Sequence, residues 1–243
     1  MPARLPDFLV LGTQKGGTTT LQHLLSQHPC IFLPPKKEVH YFSKHWEQPT
    51  AWYANHYVEA RPEQRCGDIT PFYMFHPQAP QRIHNLLPDA QLIVLLRDPV
   101  ERALSQYFHS LRLGLETLPL DEALAAETER LATGELQHLQ EHSYVSRSCY
   151  LEQLDRYLSL FSPQQLLVLK SEALFSDPTS TWRQIESFLG LSAAPCPTAT
   201  PRANAGKGEA TAVADAIRIQ LRSRLRATAH GVQERYRISW DWD

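Results

Sequence analysis

An α/β fold, with a central, mostly parallel sheet flanked by helices, is what this sequence predicts, and three observations predict it. Short apolar runs recur at Phe8–Leu11, Gln91–Leu96 and Gln165–Leu169. Inside them the residues do not alternate with polar ones, the pattern of strands buried on both faces. Segments with helical periodicity separate the runs, and strands that alternate with helices assemble into a parallel sheet.

The first run, Phe8–Leu11, breaks at Gly12 into Thr13-Gln14-Lys15-Gly16-Gly17-Thr18-Thr19-Thr20, and an amphipathic stretch continues over Leu21–Leu25. Strand, glycine-containing turn and helix in that order make a P-loop-like unit. Unpaired amides and the helix dipole favour an anion at such a helix start, and a nucleotide phosphate is the natural guest. A nucleoside-triphosphate loop reads G-x-x-x-x-G-K-[ST]. Placing Gly12 and Gly17 on its two glycines puts Thr18 where the lysine belongs and leaves Lys15 in mid-loop. The cation that grips the β- and γ-phosphates is displaced, which disfavours a kinase or ATPase, the alternative reading of this unit. A plain glycine turn is the other alternative. The lysine, the threonine run and the preceding strand together favour phosphate.

Shorter strands are expected at Ile31–Leu33 and around Cys66–Asp68. Gln91–Leu96 ends at Arg97-Asp98-Pro99, and a helix continues through Val100, Ala103, Leu104, Tyr107, Phe108 and Leu111. Leu120–Leu139 is rich in Ala, Glu and Leu and reads as one helical segment. Tyr150, Leu151, Leu154, Tyr157 and Leu158 form a helical stripe, as do Trp182, Ile185, Phe188 and Leu189 within Pro178–Leu189. Pro195–Gly208 reads as a loop. Thr211–Arg226 reads as an amphipathic helix whose arginines form a solvated face.

The 243 residues are sufficient for one buried core, and we expect a single domain over 1–243. A net charge of −2 argues against a nucleic-acid binder. No apolar run approaches the roughly 20 residues of a membrane span, and Met1–Asp7 leads into too short an apolar run for a signal peptide, so a cytoplasmic location is expected. Cys30, Cys66, Cys149 and Cys196 lie far apart without a C-x-x-C pair, so neither a metal site nor a disulfide framework is expected.

Several segments in order resemble sulfotransferases that use 3′-phosphoadenosine 5′-phosphosulfate (PAPS), notably their heparan sulfate 3-O-/N-sulfotransferase-like branch. The loop at Lys15 is similar to the family's 5′-phosphosulfate loop. Leu96-Arg97-Asp98-Pro99 with Ser105 resembles its 3′-phosphate motif. Lys37-Glu38-Val39-His40-Tyr41-Phe42 resembles K-E-x-H-[FY]-F, and Thr70-Pro71-Phe72-Tyr73 resembles [ST]-P-x-Y. Gly206-Lys207-Gly208 is similar to the turn that closes over the nucleotide, and Trp240-Asp241-Trp242 to the family's ending.

The resemblance implies a sulfuryl transfer from PAPS, leaving PAP, to an acceptor hydroxyl by in-line displacement. Positioning and charge stabilisation carry such chemistry, and lysine, arginine and amides supply the positive field without a metal. Lys15 is expected at the bridging oxygen. The amides of Gly16, Gly17, Thr18 and Thr19, and the threonine hydroxyls, are expected at the 5′-phosphate. Arg97 and Ser105 are expected at the 3′-phosphate, and Lys207 and Gly208 against the nucleotide. Glu38 takes the general base's role, His40 holds the acceptor or assists proton transfer, and Lys37, Asp68 and Tyr73 are expected at the acceptor. The acceptor is expected to be a glycan, a lipid or acyl-chain hydroxyl, or a small metabolite. Ile69 stands where the branch often has a lysine, and Glu209 where it has an arginine. With the aromatic and histidine-rich stretch from His40 to Tyr57, this suits an acceptor less charged than a sulfated polysaccharide.

Overall fold

The computed structural model describes residues 4–197 and 208–242. In chain order the elements are β1 (Phe8–Gly12), α1 (Thr18–Leu25), β2 (Ile31–Phe32), α2 (Thr50–Ala54), β3 (Arg65–Ile69), α3 (Ala79–Leu86), β4 (Gln91–Leu96), α4 (Pro99–Arg112), α5 (Leu120–Ala132), α6 (Leu136–Glu141), α7 (Tyr150–Leu158), β5 (Leu166–Lys170), α8 (Ala173–Ser176), α9 (Pro178–Leu189) and α10 (Asp215–Tyr236). They group into two compact units. The first comprises Met1–Leu96 and Asp155–Ala203, the second Arg97–Leu154 and Asn204–Asp243.

The first unit holds the sheet. Its five strands run in the order β2-β3-β1-β4-β5, every pairing parallel. Phe8 and Val10 of β1 pair with Gly67 and Ile69 on one side, and with Gln91 and Ile93 on the other. The chain leaves β1 for β2 and β3, then crosses to β4, so β1 lies at the point where the strand order reverses. In open α/β sheets the crevice beyond the strand ends at that point is where ligands bind.

The uninterrupted apolar runs are explained by burial on both faces. Phe8, Val10, Ile93, Leu95 and Ile69 point into a core with Leu21, Leu24 and Leu25 of α1, and with Trp182, Ile185 and Leu189 of α9. Leu9, Leu11, Leu92, Val94 and Leu96 point the opposite way and are as completely buried. Each such side chain contributes about 1.5–3 kcal/mol through burial.

The second unit is helical. Val100, Leu104 and Tyr107 of α4 pack with Ala123 and Leu124 of α5, Tyr144, and Leu221 and Leu225 of α10. At its centre lies Arg102, completely buried. Its guanidinium donates to Ser148 Oγ (2.6 Å), to Gln106 Oε1 (2.6 Å) and to Tyr144 O. Burial brings its pKa down to about 10.

Two expectations for this unit need correction. Leu120–Leu139 is not one helix. The chain turns at Thr133-Gly134, where Gly134 adopts φ 70°, and a left-handed glycine just past the last turn ends a helix whatever the propensity of the residues beyond it. The tail helix is α10, which starts later than expected and runs on to Tyr236; Val232 and Thr228 are buried in it. Nor is its arginine row simply solvated. Arg218 is ion-paired with Glu101, and Arg222 donates to Trp242 O (3.0 Å).

Glu116 anchors the segment between α4 and α5. Its carboxylate accepts from Arg130 Nη1 (2.6 Å), Tyr144 Oη (2.8 Å) and the amides of Thr117 (2.8 Å) and Leu118 (2.9 Å). Burial alone would raise its pKa, but these donors outweigh burial and bring it to about 2 from 4.5. Because the folded value is the lower one, the stabilisation is complete above pH 4.5 and disappears as the pH falls through about 2. Glu116→Gln is therefore expected to lower the melting temperature at neutral pH. Thermal melts repeated at decreasing pH should show the two proteins converging.

Candidate active site

The site in the first unit begins where β1 ends. Thr13 donates from its amide (2.9 Å) and its hydroxyl (3.0 Å) to Leu95 O of β4, tying the loop to the neighbouring strand. From the β5 side, Ser171 Oγ donates to Gly16 O (2.8 Å). Between these ties Lys15 sits at φ 68°, a left-handed conformation that costs a residue with a side chain energy and recurs at functional sites. Gly16 has no room for a side chain: a Cβ there would lie 2.5 Å from Thr13 Oγ1 and 2.9 Å from Leu95 O. Its amide, expected among the phosphate donors, instead donates to Thr13 O (2.9 Å) and closes the turn.

Gly17, at φ 89°, is the N-cap of α1. It has no side chain to accept from the first-turn amides, and no acidic residue lies in that turn. The start of α1 therefore keeps donors and positive dipole available for an anion.

A charged group does reach this helix end, and it is a cation. Lys37 Nζ donates to Thr19 Oγ1 (2.9 Å) and lies 3.5 Å from Thr18 Oγ1. Burial lowers the ammonium's pKa below the usual lysine value, and Glu38 opposes that shift. A partly buried cation at the positive end of a helix is unfavourable on its own terms. The pairing has a physical reason only if an anion shares the place. Lys37, expected at the acceptor, is thus joined to the loop.

One residue on, Glu38 Oε2 lies 3.1 Å from His40 Nε2. The two were expected on one side of an extended segment. They do meet, but through a turn: His40 has φ 59°. His40 Nδ1 lies 3.1 Å from Ser43 Oγ. With Nε2–H donating to the carboxylate, Nδ1 is left to accept from the serine hydroxyl. Both Glu38 and His40 remain partly exposed.

Asp68 and Tyr73, expected at the acceptor, are instead completely buried. The Asp68 carboxylate accepts from Thr70 Oγ1 (2.7 Å), Tyr53 Oη (2.7 Å) and Tyr73 Oη (2.9 Å). Burial raises the pKa of Asp68, while the three hydroxyls pull the other way. Residues with no exposed surface do not touch an acceptor, and their place is behind the site. Around them Tyr41 stacks on Tyr53 (4.3 Å between ring centres, 7° between planes), and Trp46 and Trp52 flank Tyr41 at 5.6 and 6.2 Å.

In the second unit, Arg97 O accepts from Tyr150 Oη (2.8 Å). The nearest acidic residues in sequence have other work. Asp98 caps α4, accepting from Val100 N (2.8 Å) and Glu101 N (2.9 Å), and from Trp242 Nε1 (2.7 Å). Glu101 pairs with Arg218. Ser105 is half-buried two turns into α4. Gly208 adopts φ 88° at the start of a short turn, and Glu209 pairs with Arg112 (2.8 Å). Lys207 lies outside the described residues.

Sequence reasoning did not find Ser171, Ser43 or Tyr53. Ser171 acts on a residue 155 positions away, which local pattern does not encode. Trp242 was seen only as a terminal motif, with no hint of its bond to Asp98.

Comparison with known proteins decides the family. The Sulfotransferase domain model matches residues 5–205. The chain belongs to the sulfotransferase family. Heparan sulfate glucosamine 3-O-sulfotransferase 6 of Homo sapiens is 35% identical over 77% of this chain and 53% of its own length. Membrane-associated sulfotransferase kil1 of Dictyostelium discoideum is 29% identical, over 77% of this chain and 56% of its own. The chain thus spans about half the length of these curated relatives. A solved sulfotransferase from Alicyclobacillus acidocaldarius superposes with a TM-score of 0.72 at 30% identity, over 93% of this chain and 96% of that one. The branch is the one the motifs resemble, and the five-stranded parallel sheet is the expected sheet.

Gly16→Ala is expected to cost about 1–3 kcal/mol by overpacking and to distort the loop. Thermal denaturation and a titration with PAP should show a lower melting temperature together with weakened nucleotide affinity.

Proposed function

We propose that this chain transfers a sulfuryl group from PAPS to a carbohydrate hydroxyl, with Glu38 as general base. The observation that carries the reading is the Lys37 ammonium held on the first-turn threonines of α1. Beside the left-handed Lys15 loop and an uncapped helix start, it makes a place whose chemistry fits the phosphosulfate end of the donor. When bound, that donor supplies the sulfuryl group.

Each residue has its own part of the work. Lys15 and Lys37 hold the negative charge that grows on the phosphate as the sulfuryl group departs. The amides of Gly17, Thr18 and Thr19 and the threonine hydroxyls orient the 5′-phosphate. Arg97 and Ser105 are assigned to the 3′-phosphate, for which a guanidinium fork is suited. Glu38 removes the acceptor's proton, and His40, hydrogen-bonded to Glu38 and Ser43, holds that carboxylate in place and steadies the proton once transferred. The curated relatives named for glucosamine 3-O-sulfation support a sugar hydroxyl as acceptor. The aromatic residues Tyr41, Trp46 and Trp52 suit the apolar face of a sugar ring. The family match runs through residues of both compact units, which supports reading 1–243 as one domain. The family match lends no support to a nucleotide kinase.

Glu38→Gln is expected to lower turnover by about 10²–10⁴-fold. The dissociation constant for PAP, read by calorimetry, should stay within about twofold, since a base contributes to the chemical step rather than to nucleotide binding. Lys37→Met is expected to weaken PAP binding by about tenfold, the loss of roughly one charge-assisted contact. Binding of ATP with magnesium but not of PAP would overturn the donor assignment.

A further inference from the structure

Residues 40, 41 and 42, just past the base, are each held by a group that itself bonds to one buried carboxylate. His40 N donates to Thr70 Oγ1 (3.4 Å), and that hydroxyl donates to Asp68 Oδ1 (2.7 Å). Tyr41 stacks on Tyr53, whose hydroxyl donates to Asp68 Oδ2 (2.7 Å). Phe42 N donates to Tyr73 Oη (3.4 Å), and Tyr73 donates to Asp68 Oδ2 (2.9 Å). Asp68 has no exposed surface, and neither do Thr70, Tyr53 or Tyr73. Three hydroxyls converge on the two oxygens of one carboxylate, and they reach three successive residues of the segment that carries His40.

From this convergence we propose that Asp68 is a positioning residue for the Glu38–His40 pair. An ionised carboxylate accepts only, so each of the three hydroxyls must turn its proton toward Asp68. That leaves the oxygens of Thr70 and Tyr73 with their lone pairs facing the amides of His40 and Phe42. The direction of every bond in the set is fixed from the carboxylate outward. His40 sits at φ 59°, a conformation its own side chain does not favour, and needs such an external hold. With the backbone of His40 held there, its Nε2 meets Glu38 at 3.1 Å. A neutral amide at position 68 would supply one acceptor oxygen and present an NH₂ to the remaining hydroxyls, reversing part of the set.

The proposal rests on Glu38 being the base, and the test separates the two ideas. Asp68→Asn is expected to lower kcat by about 10²-fold, the cost of misplacing a catalytic group by about an ångström. The KM for the acceptor and the Kd for PAP should each stay within about twofold. In a Glu38→Gln background the same substitution should change the residual rate by less than about twofold, because a group that acts through Glu38 has nothing left to position. Should Asp68→Asn fail to fold, Thr70→Val and Thr70→Ser replace it: the valine is expected to lose rate about tenfold and the serine, which keeps the hydroxyl, to retain it. Full kcat in Asp68→Asn or Thr70→Val, in a protein disabled by Glu38→Gln, overturns the positioning role and leaves the base reading standing. Losses that multiply in the double variant overturn it equally. Full turnover in Glu38→Gln removes the base reading itself, and the positioning role with it.

Discussion

The contact on which the rest of the site depends is the one between the Lys37 ammonium and the first-turn threonines of α1. It ties the segment that carries Glu38 to the loop that carries Lys15, although 21 positions separate Lys37 from Gly16 in the chain. The contact is costly in isolation. A desolvated cation faces the positive end of a helix dipole, and burial already lowers its pKa. Such an arrangement persists when the surrounding fold determines it and a ligand uses it. On the proposed reading, the negative charge of the donor makes the contact favourable, and the general base is delivered one residue away.

Charged groups in the first unit divide by exposure. Glu38 and His40 are partly exposed and face the place where chemistry would occur. Asp68 is sealed, saturated by hydroxyls and held behind them. The same economy governs the second unit. Arg102 is fully buried and donates to Ser148, Gln106 and Tyr144, and Glu116 is held ionised by Arg130, Tyr144 and two amides. In each case the desolvation of a charge is offset by several directed hydrogen bonds, which makes the group a fixed point for the backbone around it.

The local features were legible where local physics decides them. Continuous apolar runs at Phe8–Leu11 and Gln91–Leu96 demand burial on both faces, and the strands are there. The glycine turn with Lys15 leads into α1 as its composition requires. Helix ends were less legible. The break at Gly134 and the extension of α10 past Arg226 depend on one backbone conformation and on burial of Thr228 and Val232, neither of which periodicity reports. Asp68 and Tyr73 show the same limit, for a polar residue beside a motif reads alike whether it faces solvent or a cage of hydroxyls.

By itself, then, the chain's order of residues determined the strands, the loop, the family resemblance and the types of group available for catalysis, because these arise from short-range sterics, periodicity and chemical identity. Tertiary structure decided which of those groups are sealed and which stay open: that Lys37 lies at the helix start, that Asp68 stands behind the site, and that His40 meets Glu38 through a left-handed turn. Burial and hydrogen-bond direction are properties of a packed set of distant segments, and no stretch of sequence contains them.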